Sequence, residues 1–241
     1  MGFIDLHCHI LWDLDDGCRS PHETLQAARS LVALGYSDAA PTPHAQPRYG
    51  GGDPRVSRER LAQGRALLAR EGVALALHPG AENMVGPELR AAIDSGAVRA
   101  LGDPGRYVLV EVPFEGEAPA LADVLSRLGA SGFVPVVAHP ERCSEFERGG
   151  RAEEIVRMGA ALQLNLGAVV GRHGPKAREL AERFLDDGLY AVACTDLHSP
   201  NGAEEWIGEA LETLAERAGG ACLRRLCEEN PRRVLAGREL A

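Results

Sequence analysis

The chain has 241 residues, 45% of them apolar and 25% charged, and a formal net charge of −9. This balance suits one domain over residues 1–241, and apolar runs such as Val73–Leu77 are far below the roughly 20 residues of a bilayer span, so no membrane insertion is expected. The acidic excess argues against a nucleic-acid partner, and six scattered cysteines without a CxxC pair argue against a disulfide framework or zinc ribbon.

In chain order the sequence repeats one unit seven times: a short apolar run ending in a polar residue, then a helical pattern closing at or near glycine. Met1 leads directly into the first strand, Phe3–Ile10, without a basic or hydrophobic leader, so a cytoplasmic location is expected. Ser20-Pro21-His22-Glu23 reads as a capping box with proline at the first helical position, opening a helix that ends at Gly35. The second strand runs from Tyr36 to His44 and precedes a helix over Val56–Arg70. The third, Val73–Leu77, reaches Gly80-Ala81-Glu82 before a helix around Glu88–Asp94. Tyr107–Val112 is followed by a helix over Leu121–Leu128, and Phe133–Ala138 by His139 and a helix over Glu153–Met158. Ala161–Asn165 precedes a helix over Pro175–Asp187, and Leu189–Thr195 runs into Asp196-Leu197-His198, a helix over Glu204–Arg217 and a helical tail. Such alternation predicts an α/β fold with a parallel sheet closed as a barrel, its function at the C-terminal strand ends. An open doubly wound sheet is the competing architecture, but its GxGxxG fingerprint is absent.

Those strand ends hold the chemistry. At a strand's period of two, His7 and His9 share a face. His44, Glu82, Glu111, His139, Asp196 and His198 lie in or just after later apolar runs, and Asp16 in the Asp15-Asp16-Gly17 loop can reach back over the same mouth. A mixed imidazole and carboxylate set favours Mn2+, Fe2+ or Zn2+ over Ca2+ or Mg2+. Nine such ligands exceed one ion's needs, so two or three divalent ions are expected. Three dications would outweigh the carboxylates of Asp16, Glu82, Glu111 and Asp196 and leave a pocket that attracts phosphate. His22, His78 and His173 read as loop or surface histidines, and Asn165 as a hydrogen-bonding group of the mouth. Trp12 fits either the substrate entrance or a packed position. Arg172 and Lys176 fit either an acidic phosphopeptide or open solvent.

Asp5-Leu-His-Cys-His9, Asp15-Asp-Gly17, Thr42-Pro-His44, Gly80-Ala-Glu82, Tyr107-Val-Leu-Val-Glu111, Ala138-His-Pro-Glu-Arg142, Thr195-Asp-Leu-His198 and Glu229-Asn-Pro-Arg232 together resemble the PHP (polymerase and histidinol phosphatase) superfamily. Within it the chain is similar to bacterial tyrosine-protein phosphatases of the CpsB/CapC kind. The resemblance implies a distorted (β/α)7 TIM-like barrel with a trinuclear, usually manganese-dependent centre. By that resemblance His7, His9, Glu82 and Asp196 hold one ion, Glu82, Glu111 and His139 a second, and Asp16, His44 and His198 a third, while Arg142 binds phosphate. Family members often carry a further arginine shortly after the DxH motif; Ser199–Glu204 here has none.

The expected reaction is metal-dependent hydrolysis of phosphotyrosine on a protein, the partner being a bacterial tyrosine kinase of capsule or exopolysaccharide synthesis. A phenol of pKa about 10 leaves more readily than an alkoxide. Two other readings stand beside it: a phosphatase of a small metabolite such as histidinol phosphate, and a catalytically weak metal-binding phosphopeptide module. A thiol phosphatase is disfavoured, because the sole Cys-x5-Arg match, Cys227 to Arg233, lacks a glycine-rich cradle and carries Glu228 and Glu229.

Overall fold

A computed structural model describes residues 2–241. Strands β1 (Phe3–Cys8), β2 (Tyr36–Pro41) and β3 (Ala76–Leu77) form one parallel sheet. Strands β4 (Glu82–Met84), β5 (Tyr107–Glu111), β6 (Val134–Val137), β7 (Ala161–Asn165) and β8 (Tyr190–Cys194) form a second, in that spatial order and again parallel. Two seams join the sheets. At one, Cys8 bridges Leu197, the His9 N–H donates to the Leu197 carbonyl at 2.8 Å, and the Asp196 N–H donates to the His7 carbonyl at 2.8 Å. At the other, His44 bridges Glu82, and the Ala45 N–H donates to the Glu82 carbonyl at 2.8 Å. The result is the distorted barrel, closed by residues that belong to the candidate site.

The expected third strand is divided. Ala76–Leu77 pairs with β2, while Glu82–Met84 pairs with β5. Pro79-Gly80 separates them: proline offers no N–H to a ladder, and a Cβ at Gly80 would lie 2.9 Å from the Pro41 carbonyl oxygen. The break lets Glu82 begin a new strand at the rim, with its side chain 1% exposed.

The helices are α1 (Pro21–Ala33), α2 (Pro54–Arg70), α3 (Pro87–Ser95), α4 (Leu121–Ala130), α5 (Arg151–Arg157), α6 (Leu166–Val169), α7 (Pro175–Asp186), α8 (Ala203–Arg224) and α9 (Asn230–Leu235). Ser20 caps α1 through the Glu23 N–H at 3.2 Å, and Leu25, Ala28 and Leu31 bury its inner face. Helix α7 buries Leu180, Ala181 and Phe184, the last edge-on to Tyr190 of β8 with centroids 6.0 Å apart. Helix α8 runs past Arg217 into the expected helical tail and kinks at Gly219, whose φ of 84° is open to glycine. Helix α6 is a single turn at the end of β7 that periodicity could not reveal. Ile4, Leu6, Ala40, Leu109, Val136 and Val192 belong to one buried cluster that joins strands of both sheets. No described helix is long and apolar enough to cross a membrane.

Candidate metal centre

Each strand that ends at the rim delivers polar groups there. His7 lies on β1 and His9 just beyond it, their Nε2 atoms 3.3 Å apart, as the period of two requires. His44 follows β2, Glu82 opens β4, Glu111 closes β5, His139 follows β6, and Asp196 and His198 follow β8. His139 and Asp196 have φ of 32° and 55°, a left-handed conformation uncommon for residues with a Cβ. Strain of this kind persists where surrounding structure enforces it, and both positions aim a candidate ligand at the mouth.

The structure brings all nine predicted ligands together. Donor atoms within 4.8 Å of one another form four groups: His9, Asp16, His44 and His198; His7, Glu82 and His139; His7, His9 and Asp196; and His44, Glu82 and Glu111. Glu82 is the hub. Its carboxylate lies 3.3 Å from His7, 3.4 Å from His9, 3.1 Å from His44 and 3.2 Å from His139. In detail the groups differ from the implied sets, because His9 also sits with Asp16, its ring stacked on His198 at 4.0 Å, and Glu111 neighbours His44. The donor set fits divalent ions on the structure's own terms. His139 Nδ1 is buried without a hydrogen-bond partner, and His44 Nδ1 and Glu111 Oε2 are buried 3.5 Å apart without an aligned hydrogen bond, a costly state that metal coordination would relieve.

Electrostatics report the same crowding. Burial drives the Glu111 carboxyl up to about 7, helped by the charge of Glu82. Burial opposes charge on His7, yet Glu82 and Asp196 outweigh it and raise the imidazole to about 9. Likewise Asp16 and Glu82 outweigh burial at His44 and raise it to about 10. Protons thus hold the place that cations of higher charge would take, and metal binding must release them.

Arg142 closes the edge of this cluster. It ends a single helical turn, Pro140–Arg142, and its Nη1 donates to Asp196 Oδ2 at 2.7 Å. The neighbouring Glu141 is buried and accepts from the Asn165 N–H at 2.7 Å and the Tyr190 hydroxyl at 2.8 Å, which pins the turn to β7 and β8. Phe114, 43% exposed, lies with its ring centroid 4.4 Å from the Arg142 guanidinium carbon and 5.4 Å from the His139 ring. Beside them opens a cavity of about 330 Å³ whose wall includes Arg142, Asp196, His198 and Trp206.

Several supporting residues are not evident from the sequence. Asp15 Oδ2 accepts from His9 Nδ1 at 2.7 Å and from the His44 N–H at 3.0 Å, directing the other His9 nitrogen toward the cluster. Its placement depends on Gly17, where a Cβ would lie 2.1 Å from the His9 carbonyl oxygen. Gln163 Oε1 lies 3.0 Å from His7 Nδ1 and accepts from the His139 N–H at 3.1 Å. The available signal is parity: Gln163 and Asn165 are polar residues on one face of a buried strand. Asp15→Asn should weaken Mn2+ binding roughly 10–100-fold, the usual cost of losing a partner behind a metal-ligating histidine. Calorimetric titration with Mn2+ checks it, and unchanged affinity would dismiss the role.

The other candidates separate cleanly. His78 pairs with Asp38 at 2.8 Å and His22 is exposed, both apart from the cluster. His173 is a loop residue, yet it lines the cavity and lies 3.2 Å from Asn165 Oδ1. Asn165 hydrogen-bonds Asp196 Oδ2 at 2.9 Å and accepts from the Gly167 N–H at 2.8 Å. Trp12 packs beneath Arg60, 4.6 Å from its guanidinium carbon. Cys227 is fully buried, and burial pushes its thiol above the ordinary range, so the Cys-x5-Arg match offers no thiolate.

A family model described as capsular polysaccharide synthesis, CpsB/CapC, matches residues 3–236. The chain belongs to the CpsB/CapC family. Among curated members, tyrosine-protein phosphatase YwqE of Bacillus subtilis is 29% identical over 217 residues, covering 90% of this chain and 85% of its own. Tyrosine-protein phosphatase CpsB of Streptococcus pneumoniae is 25% identical over 238 residues, covering 96% and 98%. A crystal structure from the work on YwqE and CpsB, described as unique metal-dependent tyrosine phosphatases, superposes with a TM-score of 0.89. It shares 28% identity and covers 99% of this chain and 96% of its own. The CpsB/CapC fold therefore extends over nearly the whole chain.

Proposed function

We infer that this protein is a metal-dependent tyrosine-protein phosphatase, acting in the cytoplasm on a bacterial tyrosine kinase of capsule or exopolysaccharide synthesis. The observation that carries the reading is the convergence of nine imidazoles and carboxylates in one connected cluster, with Arg142 hydrogen-bonded to Asp196 and a cavity beside them on whose wall Arg142, Asp196 and His198 lie. We assign His7, His9, Asp16, His44, Glu82, Glu111, His139, Asp196 and His198 as ligands of two or three ions, with manganese first and Fe2+ or Zn2+ as the other candidates. Bound dications supply Lewis acidity, polarising phosphoryl oxygens and lowering the pKa of water from 15.7 to about 7.

The chain's own residues supply the rest. Arg142 spends one N–H on Asp196 and keeps its other donors for non-bridging phosphoryl oxygens, where charge grows in the transition state. The pair also fixes the guanidinium in place before substrate arrives. Phe114 gives an apolar wall beside Arg142, suited to the ring of an aryl phosphate. Asp15 and Gln163 hold His9 and His7 in orientation.

Turnover of p-nitrophenyl phosphate and of a phosphotyrosine peptide, measured with Mn2+, with a chelator and after thiol alkylation, tests the reading. Chelation should abolish both activities, Mn2+ should restore them, and alkylation of the accessible thiols should leave them. Faster turnover of histidinol phosphate than of the peptide would replace the substrate class; chelator-resistant activity would remove the metal.

A further inference from the structure

The cavity beside the candidate ligand cluster has a second cation on its wall. Arg172 lies in the loop between α6 and α7, is exposed, and places its guanidinium carbon 4.7 Å from the ring centroid of Trp206 on α8. Among the described residues it has no carboxylate within 4.0 Å. The other basic groups near this mouth are already engaged: Arg142 with Asp196 at 2.7 Å, and Lys176 with Glu147 at 2.6 Å. His173 adds no charge, since burial and the nearby Arg142 pull its imidazole down to about 4. Arg172 is therefore the uncompensated cation of the cavity wall in a protein of net charge −9.

Its position is built. The stem of Arg172 passes over Gly167, where an added Cβ would lie 3.4 Å from Arg172 Cδ, and its backbone N–H donates to the Gly167 carbonyl at 2.9 Å. Stacking on an indole leaves the in-plane N–H donors of a guanidinium free for an anion. Among the described residues Asp196 is the only carboxylate on the same wall, and Arg142 holds it; Ser199 and Asn201 add neutral polar groups.

We propose that Arg172, held by Trp206, is a specificity-determining residue that receives a carboxylate side chain flanking the phosphotyrosine of the protein substrate. Phosphoryl binding falls to Arg142, which hydrogen-bonds the candidate metal ligand Asp196, whereas among the described residues Arg172 makes no hydrogen bond or ion pair with any of the nine. A side chain one or two positions from the phosphotyrosine, displaced by ~3.3–3.6 Å per residue, can then enter the same cavity. The overall acidity of the protein repels acidic peptides at a distance, so recognition of one depends on a local cation held without a carboxylate partner.

The inference rests on the phosphotyrosine reading and is tested with the full chain in Mn2+ using three substrates: p-nitrophenyl phosphate and two phosphotyrosine peptides, one with acidic and one with alanine flanks. Wild-type protein should favour the acidic peptide, and Arg172→Gln should raise its KM about tenfold, the scale of one charge-assisted hydrogen bond, with kcat little changed. The alanine peptide and p-nitrophenyl phosphate should be nearly unaffected, and Arg172→Lys should recover part of the preference. An equal loss on p-nitrophenyl phosphate would make Arg172 a phosphoryl ligand and overturn the proposal, as would equal wild-type treatment of both peptides. Affinity for the matching phosphonate-analogue peptides, followed by fluorescence anisotropy, separates the two levels. If wild type binds the acid-flanked analogue more tightly and Arg172→Gln does not, the subsite stands even where no peptide is hydrolysed, a result that would sink the activity alone. Equal binding of both analogues overturns the subsite whatever the turnover.

Discussion

Glu82→Gln is expected to lose bound metal and catalytic turnover together. The carboxylate of Glu82 lies within 3.4 Å of four imidazoles, those of His7, His9, His44 and His139, and it is buried at the seam where β4 meets the end of β2. Burial alone would raise its pKa, but the surrounding imidazoles hold the carboxyl well below its ordinary range, so it is ionised and available as a ligand. Glutamine keeps the volume and removes the charge. Metal content should fall by about one ion per chain, and aryl-phosphate turnover by at least about 10²-fold, near 3 kcal/mol of transition-state stabilisation. Elemental analysis of the purified variant beside its kcat decides the matter. A variant with wild-type metal content and rate would dissolve the candidate centre, because no other carboxylate touches so many of its imidazoles. Mn2+ should also raise the melting temperature of the wild type and do so less for the variant, since a ligand stabilises only the state that binds it.

Arg142→Ala should lower kcat on aryl phosphates by about 10²–10³-fold, the range seen when one preorganised donor to a developing oxyanion is removed. Arg142→Lys should recover only a small part of that, because a lysine ammonium cannot reproduce the planar fork of donors. The ion pair with Asp196 adds a second route to the loss, since truncation leaves a buried carboxylate without its 2.7 Å partner. Metal content tells the routes apart. Lost turnover at wild-type metal content assigns Arg142 to the phosphoryl group; lost turnover with lost metal assigns it to holding Asp196 in place. Unchanged kcat in the alanine variant would remove Arg142 from the reaction altogether.

Both predictions concern residues that stand out in the amino-acid sequence. Glu82 and Arg142 each follow a recognisable run, Gly80-Ala81 and Ala138-His139-Pro140, and the family resemblance supplies the expected role of the arginine. The residues that support them are not legible in the same way. Asp15 and Asp16 stand side by side in one turn, and nothing local says that Asp15 binds the back of His9 while Asp16 faces His44 and His198. Glu141 lies inside the Ala138–Arg142 run, but nothing local says that β7 and β8 bury it and bind its carboxylate.

The sequence by itself determined the alternation of strands and helices, most of the helix starts, the shared face of His7 and His9, and the set of nine candidate ligands. These are local properties: a capping box, a period of two or of 3.6, a polar residue at the end of an apolar run. Tertiary structure alone decided how the nine divide into neighbouring groups, where the third strand breaks, and which polar residues stand behind the histidines. Each of these depends on how strands distant in the chain are brought into register, as when Asp196 meets His7 and His44 meets Glu82 across the two seams. The same holds for Arg172, an ordinary loop arginine until barrel closure sets Trp206 beneath it and the candidate ligands Asp196 and His198 on the same cavity wall.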